Sequence, residues 1–239
     1  MSKVRLFIDH PLAAGQAAPL NGDQAHYLSG VMRLRPGDGI TVFNGRDGEW
    51  SAVIADAGKR GGALTIADQA AAQRDPPDLW LIFAPIKKAR TDFIVEKAAE
   101  MGAARILPVQ TDFTNAERIR QDRLQAHAVE AAEQCGGTYV PEVADLVPLA
   151  RMLDGWDPAR RLLWADEAAV GPAESLAGLP RGPWAILVGP EGGFSAAERD
   201  RLRGLPFVNR ISLGPRILRA DTAAVAALTL WQAALGDWR

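Results

Sequence analysis

The sequence predicts an α/β protein in two unequal parts: a small β-rich unit over residues 1–72 and a larger unit over 73–239 with a mainly parallel sheet. Three observations carry this expectation. Short strand-like runs separated by the turns RPGDG, NGRDG and GKRGG fill residues 35–66, the pattern of a small barrel. The connector AAAQRDPPD (70–78), with two adjacent prolines, ends that rhythm. Beyond it, short apolar runs alternate with helical stretches, as in a parallel sheet covered on both faces.

Taken in order, VRLFI (4–8) reads as a strand and AHYLSGVMRL (25–34) as a short helix, ahead of the three turn-separated strands. After the connector the strands are LWLIFAP (79–85), RILPV (105–109), RRLLWAD (160–166), WAILVGP (184–190) and VNRISLGP (208–215). Helices are expected over 91–102, 118–137 and 195–204, with a last one running to about Leu235.

Composition narrows the function. With 239 residues, 48% of them hydrophobic, the chain can bury a substantial core. No stretch approaches the roughly 20 apolar residues of a membrane span and the N-terminus lacks a signal-peptide run, so a cytoplasmic location is expected and no membrane partner. One cysteine and three scattered histidines supply no metal-ligand spacing, and no metal is expected. Cys135 reads as a small buried apolar residue, and His26 and His127 as packing or surface residues. The net charge is −2, and residues 1–72 hold seven Lys/Arg against seven Asp/Glu. A nucleic-acid surface would therefore have to be local, or assembled from two subunits.

Two strand-Gly-Pro-turn units lie close together in the last quarter. In LVGPEGGFS (187–195), three glycines within five positions let the backbone approach a ligand, and Ser195 with Glu198 forms a capping box for the next helix. The loop lacks the Lys-Ser/Thr of a phosphate-cradling loop, and no early strand leads into G-x-G-x-x-G, which disfavours a nucleoside triphosphate or dinucleotide. In SLGPRILRADTA (212–223), Pro215 stops the strand and leaves the backbone of 213–218 free to bond something else. Asp221 or Thr222 is expected to cap the following helix. Arg216 and Arg219, beside that helix start, call for an anionic partner, for which Glu191, an RNA backbone or a uracil ring losing its proton are candidates.

GPEGGFS followed by SLGPRILRADTA resembles the signature of the ribosomal RNA small subunit methyltransferase E family, within the SPOUT superfamily. EKAAEMGAARILPV (96–109) and EAAEQCGGTYVPEV (130–143) resemble its middle segments, and RLFI and HYLSGVMRLRPGD its N-terminal domain. The resemblance implies a PUA-like RNA-binding barrel over 1–72, and over 73–239 a trefoil-knotted α/β-knot domain that transfers methyl from S-adenosylmethionine. It also implies a homodimer and, as substrate, N3 of a uridine in the 16S rRNA of the small ribosomal subunit. Another RNA position, or a noncatalytic assembly factor, is the alternative.

Carried onto this chain, the resemblance places the cofactor between the two Gly-Pro loops. Gly189, Leu213 and Leu218 are the first backbone contacts, Gly192, Ile211, Gly214 and Ile217 the next, and Leu163 with Trp164 an apolar wall. Arg219, then Arg216, is the candidate for stabilising charge on the uracil oxygens as N3 loses its proton. Glu191 and Asp221, the latter where the family commonly has Glu, are both candidates to take that proton. For RNA docking, Arg5, Arg33 and Arg35 with Arg46, Lys59 and Arg60 are candidates on the small unit, and Lys87, Lys88 and Arg90 on the large one.

Overall fold

A computed structural model describes residues 4–58, 60–169, 176 and 178–238. The chain divides into two compact units, one of residues 1–75 with 132–140, the other of 76–131 with 141–239.

In the first unit, β1 (Arg5–Phe7), β2 (Ala17–Leu20), β3 (Gly39–Phe43), β4 (Glu49–Gly58) and β5 (Gly61–Ala71) form one sheet in the order β1-β3-β4-β5-β2. β1 runs parallel to β3, and the other pairings are antiparallel. Along β4, Ala52 and Ile54 enter the core while Val53 faces out, the alternation of a one-sided sheet. Three register shifts between β4 and β5 curl that sheet around Leu6, Ile40, Val42, Leu64 and Ile66.

The helix of this unit begins earlier than the apolar pattern predicts. α1 (Gly22–His26) starts behind Asn21, whose side chain accepts the Gln24 N–H while Gln24 bonds back to the Asn21 N–H. It then widens into a π-helical turn over Tyr27–Val31, which leaves Val31, Met32 and Arg33 exposed. β2 escapes prediction because AAPL carries no β-branched or aromatic residue; pairing with β5 makes it a strand at the sheet's edge.

In the second unit the strands are β6 (Leu79–Phe83), β7 (Arg105–Gln110), β8 (Glu142–Val143), β9 (Val147–Pro148), β10 (Arg161–Ala165), β11 (Trp184–Val188) and β12 (Val208–Ile211). Their order is β12-β10-β11-β6-β7-β8, with β9 also beside β7, and every pairing is parallel. β10, β11 and β6 are buried along nearly their whole lengths, as strands covered on both faces must be. The helices are α2 (Lys88–Glu100), α3 (Gln121–Cys135, whose residues from 132 on belong to the first unit), α4 (Leu149–Asp154), α5 (Ala196–Arg203) and α6 (Ala220–Ala234).

α6 buries Ala220, Ala223, Ala224, Ala227, Leu228 and Trp231, one helical stripe whose small members let it lie close against α2. The short β8, β9 and α4 lie below the length at which periodicity is readable from sequence. Cys135 is exposed, not buried: it is the last residue of α3, where its neighbours Gln134 and Gly136 are exposed as well. Among the described residues, no helix is long and apolar enough to cross a membrane.

Candidate active-site cleft

The two Gly-Pro strands do not lie side by side. β10 runs between them, with Ala165 level with Val188 of β11 and Ile211 of β12. Three chain segments therefore leave the sheet at one height, where the carboxyl ends of parallel strands open a crevice. A cleft of about 450 Å³ lies there, within the size range of small-molecule sites, and its walls include Ala165, Gly189, Leu218 and Ala223. A smaller pocket lined by Leu213, Gly214 and Arg216 shares Ala165, Glu167, Ile217 and Leu218 with it.

Ile217 is 73% exposed at the rim of the cleft, the largest value among the large apolar side chains of the described residues. The N–H groups of Ile217 and Leu218 donate to no protein group among the described residues. Gly214 holds φ +119 with open space where a Cβ would stand, so the loop needs glycine for its backbone shape. The result is a lining of apolar side chains and unpaired backbone donors, suited to a planar heterocycle that offers acceptors at its edge.

Of the residues expected to hold a cofactor, Gly189, Leu213, Gly214, Ile217 and Leu218 come together at these pockets. Leu163 and Ile211 are buried within β10 and at the end of β12, and Gly192 backs onto Phe113. Leu163 and Trp164 do not form the expected wall. Both are fully buried in the sheet, Trp164 edge-on to Phe194, and Ala165 at the end of β10 occupies the wall instead.

Gly189 has a different constraint from the one expected. A Cβ there would lie 2.6 Å from the ring of Phe194, so the residue is small to fit its own loop. Gly189→Val is expected to destabilise the fold by about 1–3 kcal/mol through overpacking, and to weaken ligand binding in the cleft. Thermal unfolding and calorimetry on the same sample check both effects; a stable variant with unchanged affinity would remove Gly189 from the site.

The turn after β11 is held from behind. Ser195 caps α5 as predicted, its hydroxyl accepting the Glu198 N–H while Glu198 accepts the Ser195 N–H. Arg199 on α5 bonds the Phe194 carbonyl at 2.9 Å, Asp166 at 2.6 Å and also Glu167. Arg210 reaches the other oxygen of Asp166 at 2.6 Å. Sequence reading missed this group because its members come from α5, from β12 and from the turn after β10, with no shared motif.

Arg216 and Arg219 are exposed, Arg219 on the cleft and Arg216 on the smaller pocket, and neither makes an ion pair among the described residues. Glu191, one of the candidate partners, pairs with neither. The α6 cap also differs: Arg219 occupies the cap position without a side-chain bond, and Asp221 sits inside the first turn. Asp221 instead accepts from Arg90 at 2.9 Å, a link across 131 residues that the sequence could not display. Arg90 and Lys87 line the cleft, whereas Lys88 is exposed at the start of α2.

On the first unit, Arg33 and Arg35 are exposed, and Arg33 holds φ 56, a left-handed conformation that is uncommon for a side-chain-bearing residue. Arg46 lies 3.8 Å from Asp9, Arg60 is exposed, and Lys59 lies outside the described residues. Arg5 departs from expectation. Its guanidinium donates to Glu49 and to the carbonyls of Ala132, Glu133 and Gly137 while lying over Phe43, which leaves it no donor for a phosphate. Among the described residues no group of three His, Cys, Asp or Glu is placed to hold a metal.

Comparison with known proteins gives this geometry a context. A family described as "RNA methyltransferase domain" matches residues 73–232, and one described as "RNA methyltransferase PUA domain" matches 20–66. The ribosomal RNA small subunit methyltransferase E of Rickettsia conorii is 31% identical over 94% of this chain and 93% of its own length. That of Bacillus subtilis is 29% identical over 94% of each. The Neisseria gonorrhoeae protein of the same name, solved bound to S-adenosylmethionine, superposes with a TM-score of 0.88 at 27% identity, covering 99% of both chains. Domain matches, identity along nearly the full length of these relatives and a shared backbone make this chain a member of the ribosomal RNA small subunit methyltransferase E family.

Proposed function

We propose that the protein transfers a methyl group from S-adenosylmethionine to N3 of a uridine in the 16S rRNA of the small ribosomal subunit. Family membership supports the rRNA methyltransferase activity. The observation that carries the chemistry is the cleft itself, in which apolar loops and free backbone donors meet an unpaired arginine at the carboxyl ends of β10, β11 and β12.

The donor set fits the cofactor. Leu213, Ile217 and Leu218 would hold its adenine by shape and backbone bonds, with Gly189 at the facing loop. When bound, S-adenosylmethionine supplies an electrophilic methyl carbon already activated by a sulfonium, so the protein's task is alignment and charge. Arg219, and Arg216 beside it, would stabilise the negative charge that spreads onto the uracil oxygens as N3 loses its proton. Lys87 at the rim would hold a phosphate of the RNA. Because N3 lies on the pairing edge, the uridine must be unpaired or flipped to reach the cleft, which favours a folded subunit over a duplex as substrate.

The same reading makes residues 1–72 the RNA-docking domain, with Arg33 and Arg35 on phosphates, and 73–239 the knotted catalytic domain of a cytoplasmic homodimer. Incubating the protein with labelled S-adenosylmethionine and small subunits lacking the modification, then digesting the rRNA, tests the proposal. 3-Methyluridine at one position is the expected product. A different methylated nucleoside would overturn the target atom, and unlabelled RNA despite cofactor binding would overturn the activity.

A further inference from the structure

Uridine N3 carries a proton, and its methylation yields a neutral product only if that proton leaves. The carboxylates near the cleft differ sharply in their freedom to accept it. Asp221 is 17% exposed, accepts from Arg90 at 2.9 Å with one oxygen and accepts the Thr222 N–H at 2.9 Å with the other. Asp166 is completely buried between Arg199 and Arg210. Glu167 accepts from Arg199 and from the Phe194 N–H. Glu191 stands two residues beyond Gly189, on the cleft wall with Arg219, and is exposed. Among the described residues it makes no hydrogen bond or ion pair.

We propose that Glu191 is the general base of the reaction, a catalytic role that rests on the uridine-N3 reading above. Asp221, the other candidate in the sequence, instead positions Arg90. The step balances as follows. The N3–H bond breaks with its proton passing to the Glu191 carboxylate, and the N3 electron pair forms the new bond to the methyl carbon. The carbon–sulfur bond breaks with its pair left on sulfur, giving neutral 3-methyluridine and S-adenosylhomocysteine. A carboxylate with no protein partner has its lone pairs free to accept the proton, while Arg219 lowers the cost of the charge that proton loss leaves on the ring oxygens.

Glu191→Gln tests this in three measurements on the full-length protein. Cofactor affinity by calorimetry is expected to stay within about twofold of the parent, while single-turnover methylation falls by roughly 100-fold or more. The rate of the variant should then climb about tenfold per pH unit through the neutral range, where the parent is flat, because only spontaneous N3 ionisation remains. Subunits whose 16S rRNA carries 5-fluorouridine, a more acidic imide, should recover most of the variant's lost rate. A variant that methylates at the parental rate, or one that loses cofactor affinity with neither pH nor fluorouridine rescue, would overturn the assignment. Failure of the underlying reading is separately visible, because the parent protein would then yield a nucleoside other than 3-methyluridine.

Discussion

Arg219→Ala is expected to slow methyl transfer by roughly 100- to 1,000-fold, the usual cost of removing one donor aimed at developing charge. Cofactor affinity should change little, since the neighbouring lining at Leu218 is apolar and the free backbone donors remain. The fold should be equally indifferent. Arg219 is exposed, contributes no capping bond to α6 and has no ion pair among the described residues, so its truncation removes no side-chain hydrogen bond or ion pair. Arg219→Lys should recover part of the rate, because it keeps the charge but loses the planar fork. Single-turnover kinetics beside calorimetry separate the two effects, and a full-rate alanine variant would refute the charge-stabilising role.

The second large effect is on stability. Asp166→Ala is expected to cost up to about 3 kcal/mol, because it removes the fully buried carboxylate that two arginines share, while Arg210, 43% exposed, keeps access to water. Asp166 also accepts the Ala168 N–H at 3.0 Å, so the turn after β10 loosens as well. Arg199 would keep only Glu167 and the Phe194 carbonyl, and the turn carrying Gly189 and Glu191 would lose its anchor. Denaturant unfolding should show a lower midpoint, with reduced cofactor affinity in the folded protein. A loss below about 1 kcal/mol would mean that the arginines find new partners at no cost.

The legible parts of this chain were those whose signal is local. The Ser195–Glu198 capping box, the Gly-Pro turns and the short apolar runs that become strands all depend on residues within a few positions of each other, and the structure contains each of them. Features set by distant pairing were not legible. Nothing in RRLLWAD indicates that β10 separates β11 from β12, and that insertion moves the cleft wall from Leu163 and Trp164 to Ala165. Asp221 looks like a helix cap until Arg90 is brought beside it, and Arg5 looks like a phosphate ligand until Glu49 and three carbonyls surround it. Charge in a sequence marks a residue that needs a partner. It does not say whether the partner is protein or RNA.

The position of β10 between β11 and β12 also bears on how the protein is made. A ribosome releases β10 and β11 before β12, and once both have emerged β11 can pair with β6 and β10 with β11. The wall carrying Leu213, Ile217 and Leu218 exists only after β12 docks on the far edge of β10 and α6 packs against α2 and β11. A nascent chain stalled before residue 208 would hold most of its sheet yet offer half a binding site. With the cofactor held at that wall as proposed, its capture would require α6 to be in place, and its binding energy would add to the native state and protect such chains from proteolysis.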